Sequence, residues 1–238
     1  MKAARIGILL LCLTCTGWCA QKPDSAEAAL RCIERGYASV KDYKVEIQVS
    51  VESPQVHMPN AKAVVYFKRP DKLRVIPKEG FMMMPSYAVM GDPVGFIRKN
   101  FSIIGVKSAK LGAEPVYILS MVGKTMQSAG KFEIVVEKRR GLIVSGSAND
   151  GASKLTAKWE YKQSDGKFWM PIKITVKMEG LVAPQAFDPK EMKMNPPKTG
   201  TGTAIVTFTN YRINRGIPDS IFVEKKQGDG RRDLKPVG

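Results

Sequence analysis

Asp42-Tyr43-Lys44-Val45-Glu46-Ile47-Gln48-Val49-Ser50-Val51 decides the fold of this chain. Val45, Ile47, Val49 and Val51 fall on one side of an extended backbone, and Lys44, Glu46, Gln48 and Ser50 on the other. A period of two is the signature of an antiparallel strand with one face buried and one face in water. Downstream, Ala61 to Arg69 repeats the pattern, with Ala63, Val65 and Phe67 opposite Lys62 and Lys68. After Pro70-Asp71 a strand from Lys72 to Ile76 completes a hairpin.

Strand signals return at Val116 to Val122, Phe132 to Lys138, Gly141 to Ala148, Leu155 to Gln163, Pro171 to Met178 and Thr203 to Tyr211. Asn149-Asp150-Gly151 and Ser164-Asp165-Gly166 are hairpin turns between them. Upstream, Ser25 is an N-cap for a helix from Ala26 to Val40 that weakens at Gly36. Two stretches lack a period: Gly80 to Gly112, which reads as loop or short helices, and Leu181 to Gly202, which reads as a long loop. The pattern predicts a mainly β (α+β) chain: one N-terminal helix, then eight or nine antiparallel strands in meander order, forming a strongly curved sheet or open barrel. Its apolar face needs a cover, so the helix and the irregular inserts either fill the concavity or leave part of it open as a pocket.

At the N-terminus Lys2 and Arg5 precede an uncharged run, Ile6 to Trp18, followed by Ala20 and Gln21. This is the layout of a cleaved signal peptide, residues 1–20, and the run falls short of the ~20 residues a spanning helix needs. Residues 21–226 are then expected to form one exported, periplasmic domain, with a disordered tail from 227 to 238. Cys19 near the end of the run suggests a lipid anchor, but Trp18 is a poor residue before an acylated cysteine. Removal of the signal leaves Cys32 alone, excluding an internal disulfide framework. Its spacing with Ala29 and Ile33 places it on the buried face of the helix.

The formal charge is +16. Such a balance admits nucleic acid, an anionic membrane surface or an acidic polymer as partner. Export argues against nucleic acid, and the cations alternate along strands instead of clustering.

Enzymatic chemistry finds little support. His57 lies in a polar turn without Cys or carboxylate at metal-ligand spacing. No nucleophile elbow or phosphate-binding glycine loop occurs. Glu133 and Glu137 alternate to the solvent side of their strand. No cofactor or metal is expected.

Val64-Val65-Tyr66-Phe67-Lys68-Arg69-Pro70 followed by Lys72-Leu73-Arg74 resembles the segment of the LolA/LolB-like lipoprotein carriers in which a strand ends in an Arg-Pro step. Phe132 to Glu137, Gly141-Leu142-Ile143, Phe168-Trp169-Met170-Pro171, Val206 to Asn214 and Ile217 to Phe222 follow in the order of that superfamily's strand phrases. The resemblance implies an unclosed antiparallel β-barrel with lid segments over an apolar cavity that receives acyl chains of lipoproteins or lipids. It also implies that Arg69 bonds to the lid and helps control its opening, against the alternative of a strand-end charge in solvent near Asp71. Membrane-bound donor and acceptor proteins are the implied partners.

Val65 and Phe67 share the side of Arg69. Met82, Met83, Met84 and Met90 offer an adaptable apolar surface for chains of varied shape, or a permanent core plug. Trp159, Tyr161, Trp169 and Phe208 line a pocket, or serve as core. The competing function is an envelope interaction protein with a filled cavity, docking through its basic surface on a protein or an anionic membrane.

Overall fold

The structure, a computed structural model, describes residues 25–54, 60–79, 91–125, 130–182, 187–188, 193–194 and 199–223. Helix α1 (Ala26–Tyr37) begins where Ser25 Oγ accepts the Ala28 N–H at 3.1 Å, and it ends earlier than its periodicity suggests, before Val40. The strands are β1 (Asp42–Glu52), β2 (Ala61–Lys68), β3 (Lys72–Glu79), β4 (Phe101–Leu111), β5 (Glu114–Gly123), β6 (Lys131–Glu137), β7 (Ile143–Asn149), β8 (Lys154–Ser164), β9 (Phe168–Val182), β10 (Phe187–Asp188), β11 (Lys193–Met194) and β12 (Thr199–Ile213). A second helix, α2 (Pro93–Asn100), leads into β4, and a 3-10 turn spans Asp219–Phe222.

Ten strands form one antiparallel sheet in the order β3-β2-β1-β12-β9-β8-β7-β6-β5-β4. Two meanders, β1 to β3 and β4 to β9, are joined through β12, which pairs with β1 from Tyr43↔Ile213 to Glu52↔Thr203. The sheet is a curved, unclosed barrel, because β3 and β4 are its edges and do not pair with each other.

Three expectations change here. Gly80 to Gly112 contains a full strand, β4, whose alternation is broken by a register shift between Ile103 and Gly105. Leu181 to Gly202 is not simply loop: β9 runs on to Val182, β12 starts at Thr199, and β10 pairs with β11 between them. The order departs from a meander at β12, a long-range pairing that periodicity does not encode.

Two apolar clusters line the inner face. One joins Val40 to Tyr43, Val45 and Ile47 of β1, Val65 and Phe67 of β2, Phe168, Met170 and Ile174 of β9, and Val206 and Phe208 of β12. In the other, α1 contributes Ala29, Leu30, Cys32, Ile33 and Tyr37, packed with Val94 and Ile97 of α2, with Leu119, Val136 and Ile143 of the sheet and with Leu142 of the turn before β7. Each fully buried aliphatic or Phe side chain contributes about 1.5–3 kcal/mol. Cys32 takes the buried helix position its spacing predicts.

Backbone contact seats α1 against the turn after β6. A Cβ on Gly36 would lie 2.6 Å from the carbonyl oxygens of Arg140 and Gly141, and one on Gly141, at φ +71°, would lie 2.0 Å from that of Cys32. Arg35 donates to the Lys138 carbonyl at 3.3 Å across the same seam. Among the described residues no helix is long and apolar enough to cross a membrane.

Candidate functional site

Arg69 follows the last residue of β2, on the side of buried Val65 and Phe67. Its main-chain N–H donates to the Lys41 carbonyl at 2.8 Å, and the Arg69-Pro70 peptide is cis. Nε of the guanidinium donates to the Val40 carbonyl at 2.8 Å, and Nη2 to the Tyr37 carbonyl at 2.7 Å. Those carbonyls belong to the end of α1 and the link to β1. A helix end exposes unpaired C=O groups and a partial negative charge, so a planar cation with divergent donors is well matched to it. The guanidinium therefore fastens the C-terminal end of α1 to the β2–β3 hairpin.

Beneath that fastening lies a narrow cleft. Tyr37 and Val40 come from the end of α1, Tyr43 from β1, Phe67 from β2, Met170 and Pro171 from β9, and Phe208 and Tyr211 from β12, with Gly91 against the Phe67 ring. Its free volume is about 20 Å³, room for about one water. Tyr43 lies against Phe67 with ring centroids 5.3 Å apart and meets Tyr211 edge-on at 6.0 Å.

The phenol tips around the cleft are spent on the protein itself. The Tyr37 and Tyr161 hydroxyls are 2.8 Å apart, Tyr161 donates to the Ile143 carbonyl at 2.8 Å, and Tyr211 donates to the Pro171 carbonyl at 2.7 Å. Burial pushes the Tyr37 hydroxyl up to about 12, against the opposing effect of its hydrogen bonds to Tyr161 and Ile143. Burial likewise raises Tyr43, Tyr161 and Tyr211. A phenol that keeps its proton longer when folded contributes stability in full below its unfolded value of ~10, and that contribution is lost as pH rises from there through the folded value. The melting temperature, followed by circular dichroism, should accordingly fall between about pH 10 and 12, and Tyr37→Phe should flatten the fall.

Of the residues singled out in the sequence, Phe67 and Phe208 reach the cleft, whereas Val65 is fully buried core. Trp159 packs against both clusters, and Tyr161 and Trp169 pack against the α1 cluster, none of the three touching the cleft. Arg140 lies over the Trp169 ring at 4.4 Å from its centroid. Met82, Met83, Met84, Met90 and His57 lie outside the described residues.

Glu137 departs from the expectation of a solvated position. It is 3% exposed, and Arg140 donates to its two oxygens from Nε at 2.8 and 2.9 Å. Glu137 ends β6, and the turn that follows, closed by the Gly141 N–H donating to the Glu137 carbonyl at 2.8 Å, folds Arg140 back over the carboxylate. A buried charge stays buried only when paired and hydrogen-bonded, as this one is.

Of the nine described residues that line the cleft, sequence reasoning singled out Phe67 and Phe208 and missed Tyr37, Val40, Tyr43, Gly91, Met170, Pro171 and Tyr211. Tyr43 and Tyr211 stand at strand ends, and Tyr37 is the last residue of α1. The three tyrosines share one signal, position: aromatic residues at the ends of three elements that meet at one end of the sheet.

No known family model matches the chain, and no curated protein matches it in sequence. Among solved structures it is similar to a LolA superfamily protein from Nitrosomonas europaea, at 13% identity and a TM-score of 0.54, over 84% of this chain and 98% of that one. A DUF1329 family protein from Desulfovibrio piger is similar at 14% identity and a TM-score of 0.53, again over 84% and 98% of the two chains. The likeness spans nearly the whole of each solved chain. This chain has a LolA-like fold.

Proposed function

We propose that the protein is an exported, periplasmic binder of acyl chains, carrying or sensing lipids or lipoproteins, and that it is not an enzyme. The observation that carries this reading is the Arg69 guanidinium fastened to the Tyr37 and Val40 carbonyls directly over an apolar, aromatic cleft. Hydrocarbon is the chemistry that suits such a lining: each buried CH₂ contributes ~0.8 kcal/mol, and hydroxyls already bonded to the protein lose nothing when water leaves. A cleft this narrow is the closed form, so entry of a chain requires the end of α1 to move away from the β2–β3 hairpin. Arg69 is then a latch.

Residues 1–20 serve as the export signal and residues 21–226 form the binding domain, which receives its cargo from membrane-bound donors and passes it to acceptors. The small volume of the cleft and the charge of +16 favour one second reading, a filled interior with the basic surface docked on a protein or an anionic membrane. Native mass spectrometry of gently purified protein separates the two. The carrier reading expects a mass increment of about one lipid per chain that organic solvent removes. A clean mass that does not change when acyl lipid is added contradicts it.

A further inference from the structure

Trp159 carries the one buried side-chain nitrogen or oxygen among the described residues that has no hydrogen-bond partner, its indole Nε1. Polar groups withdrawn from water without a partner are rare in folded proteins, and each calls for a physical reason. Around it, the other polar aromatic tips are satisfied: Tyr161 donates to Ile143 and Tyr211 to Pro171. Trp159 also stands between the two halves of the inner face. It packs against both apolar clusters, at the seam between the half of the inner face that α1 covers and the half that holds the cleft. Along β8 it is the next inward position from Tyr161, which pairs with the cleft residue Pro171, so it stands about 7 Å farther along the strand.

Resting on the carrier reading, we infer that the indole N–H of Trp159 receives the carbonyl oxygen of an acyl ester or amide whose hydrocarbon occupies the cleft, so that this residue sets which lipids are taken. An indole donates and never accepts, so its partner is an acceptor. Ester and amide carbonyls are neutral acceptors. An ionised carboxylate accepts as well, but it enters an apolar interior at a large desolvation cost. An alkyl ether of equal length offers the same hydrocarbon with a much weaker acceptor. The ligand class is therefore the O- or N-acyl chain, discriminated from the free fatty acid and from the ether lipid.

The test titrates the purified, delipidated protein with a diacyl ester phospholipid and with its dialkyl ether counterpart, each displacing a fluorescent acyl probe. Wild-type protein is expected to hold the ester about tenfold more tightly. In Trp159→Phe the ratio falls to about one while ether binding persists, because the buried donor has been removed while an aromatic ring still fills most of the site. A wild-type ratio near one, or a ratio that Trp159→Phe leaves unchanged, overturns the inference while the carrier reading stands. Binding of neither lipid overturns both. Should the variant fold poorly, the wild-type protein alone decides: the Trp159 indole N–H resonance moves downfield with the ester and not with the ether, and identical spectra overturn the assignment.

Discussion

Replacing Arg69 with Leu should speed the release of a bound acyl probe by about thirtyfold and lower the melting temperature by about 4–8 °C. The reasoning starts from the two guanidinium bonds to the Tyr37 and Val40 carbonyls. Hydrogen bonds with a charged partner contribute about 1.5–3 kcal/mol, and Leu supplies no donor, so both carbonyls lose the charged donor and that of Tyr37 keeps the Val40 N–H at 3.2 Å. A loss of about 2 kcal/mol corresponds to the quoted shift in melting for a domain of this size and, if it falls on the closed form, to the quoted factor in opening. Arg69→Lys should lie between the two, since ammonium keeps the charge and lacks the planar fork. Stopped-flow exchange of the probe separates a latch from a merely structural residue. A melting temperature lowered with an unchanged release rate contradicts the latch.

The largest loss of stability should come from Gly141→Ala. Two costs add at this position. The backbone has φ +71°, a region that a side chain occupies at a penalty of about 1–2 kcal/mol. The new Cβ would also stand 2.0 Å from the Cys32 carbonyl oxygen and 3.0 Å from Gly36 N, both backbone atoms of α1 that no rotamer change can move aside. The helix must lift, and with it Ala29 and Ile33, both at 0% exposure. We expect a loss of about 4 kcal/mol and a fall in melting temperature of about 8–16 °C. Gly112→Ala is the control, because Gly112 has φ +63° with nothing within 4 Å of the added carbon, so it should show the strain alone. Gly36→Ala meets the same seam at 2.6 Å from two carbonyl oxygens, and once α1 has shifted the second substitution should add little. Additive losses in the double variant would refute a shared contact.

The seat at Gly36 and the Arg69 bonds act on adjacent residues: Gly36 is held to the turn after β6 by backbone contact, and the Tyr37 and Val40 carbonyls by hydrogen bonds that can be exchanged for water. On the proposed reading, opening is thus confined to the residues after Gly36.

How far the sequence discloses this arrangement can be judged element by element. β1 was plain because Val45 and Ile47 alternate without interruption with Lys44 and Glu46, and a half-buried strand imposes that period on its residues. Ser25 as N-cap and Cys32 as a buried helix residue were equally plain, since each depends on neighbours within a turn or two. β4 escapes periodicity because a bulge at Ile103/Gly105 reverses the side its residues face, and Glu137 because the turn after β6 folds Arg140 over it, and nothing local announces either. Thr199-Gly200-Thr201-Gly202 was taken as loop because glycine and threonine give a strand without an apolar stripe. For the site, Arg69 and Phe67 were legible from the Arg-Pro step and the alternation of β2. The carbonyls that Arg69 fastens, and the tyrosines from three separate elements, come together only when β12 closes against β1, a pairing across more than 150 residues that no spacing rule predicts.

The central claim is that the cleft under Arg69 is where an acyl chain lies. A lipid bearing a photoactivatable diazirine near the end of its acyl chain, incubated with the protein, irradiated and mapped by peptide mass spectrometry, addresses that claim most directly. The account predicts cross-links on the peptides carrying Phe67, Met170 and Phe208, suppressed by excess unlabelled lipid. Cross-links confined to exposed positions such as Ile104 and Leu111, or labelling that unlabelled lipid does not suppress, would contradict it.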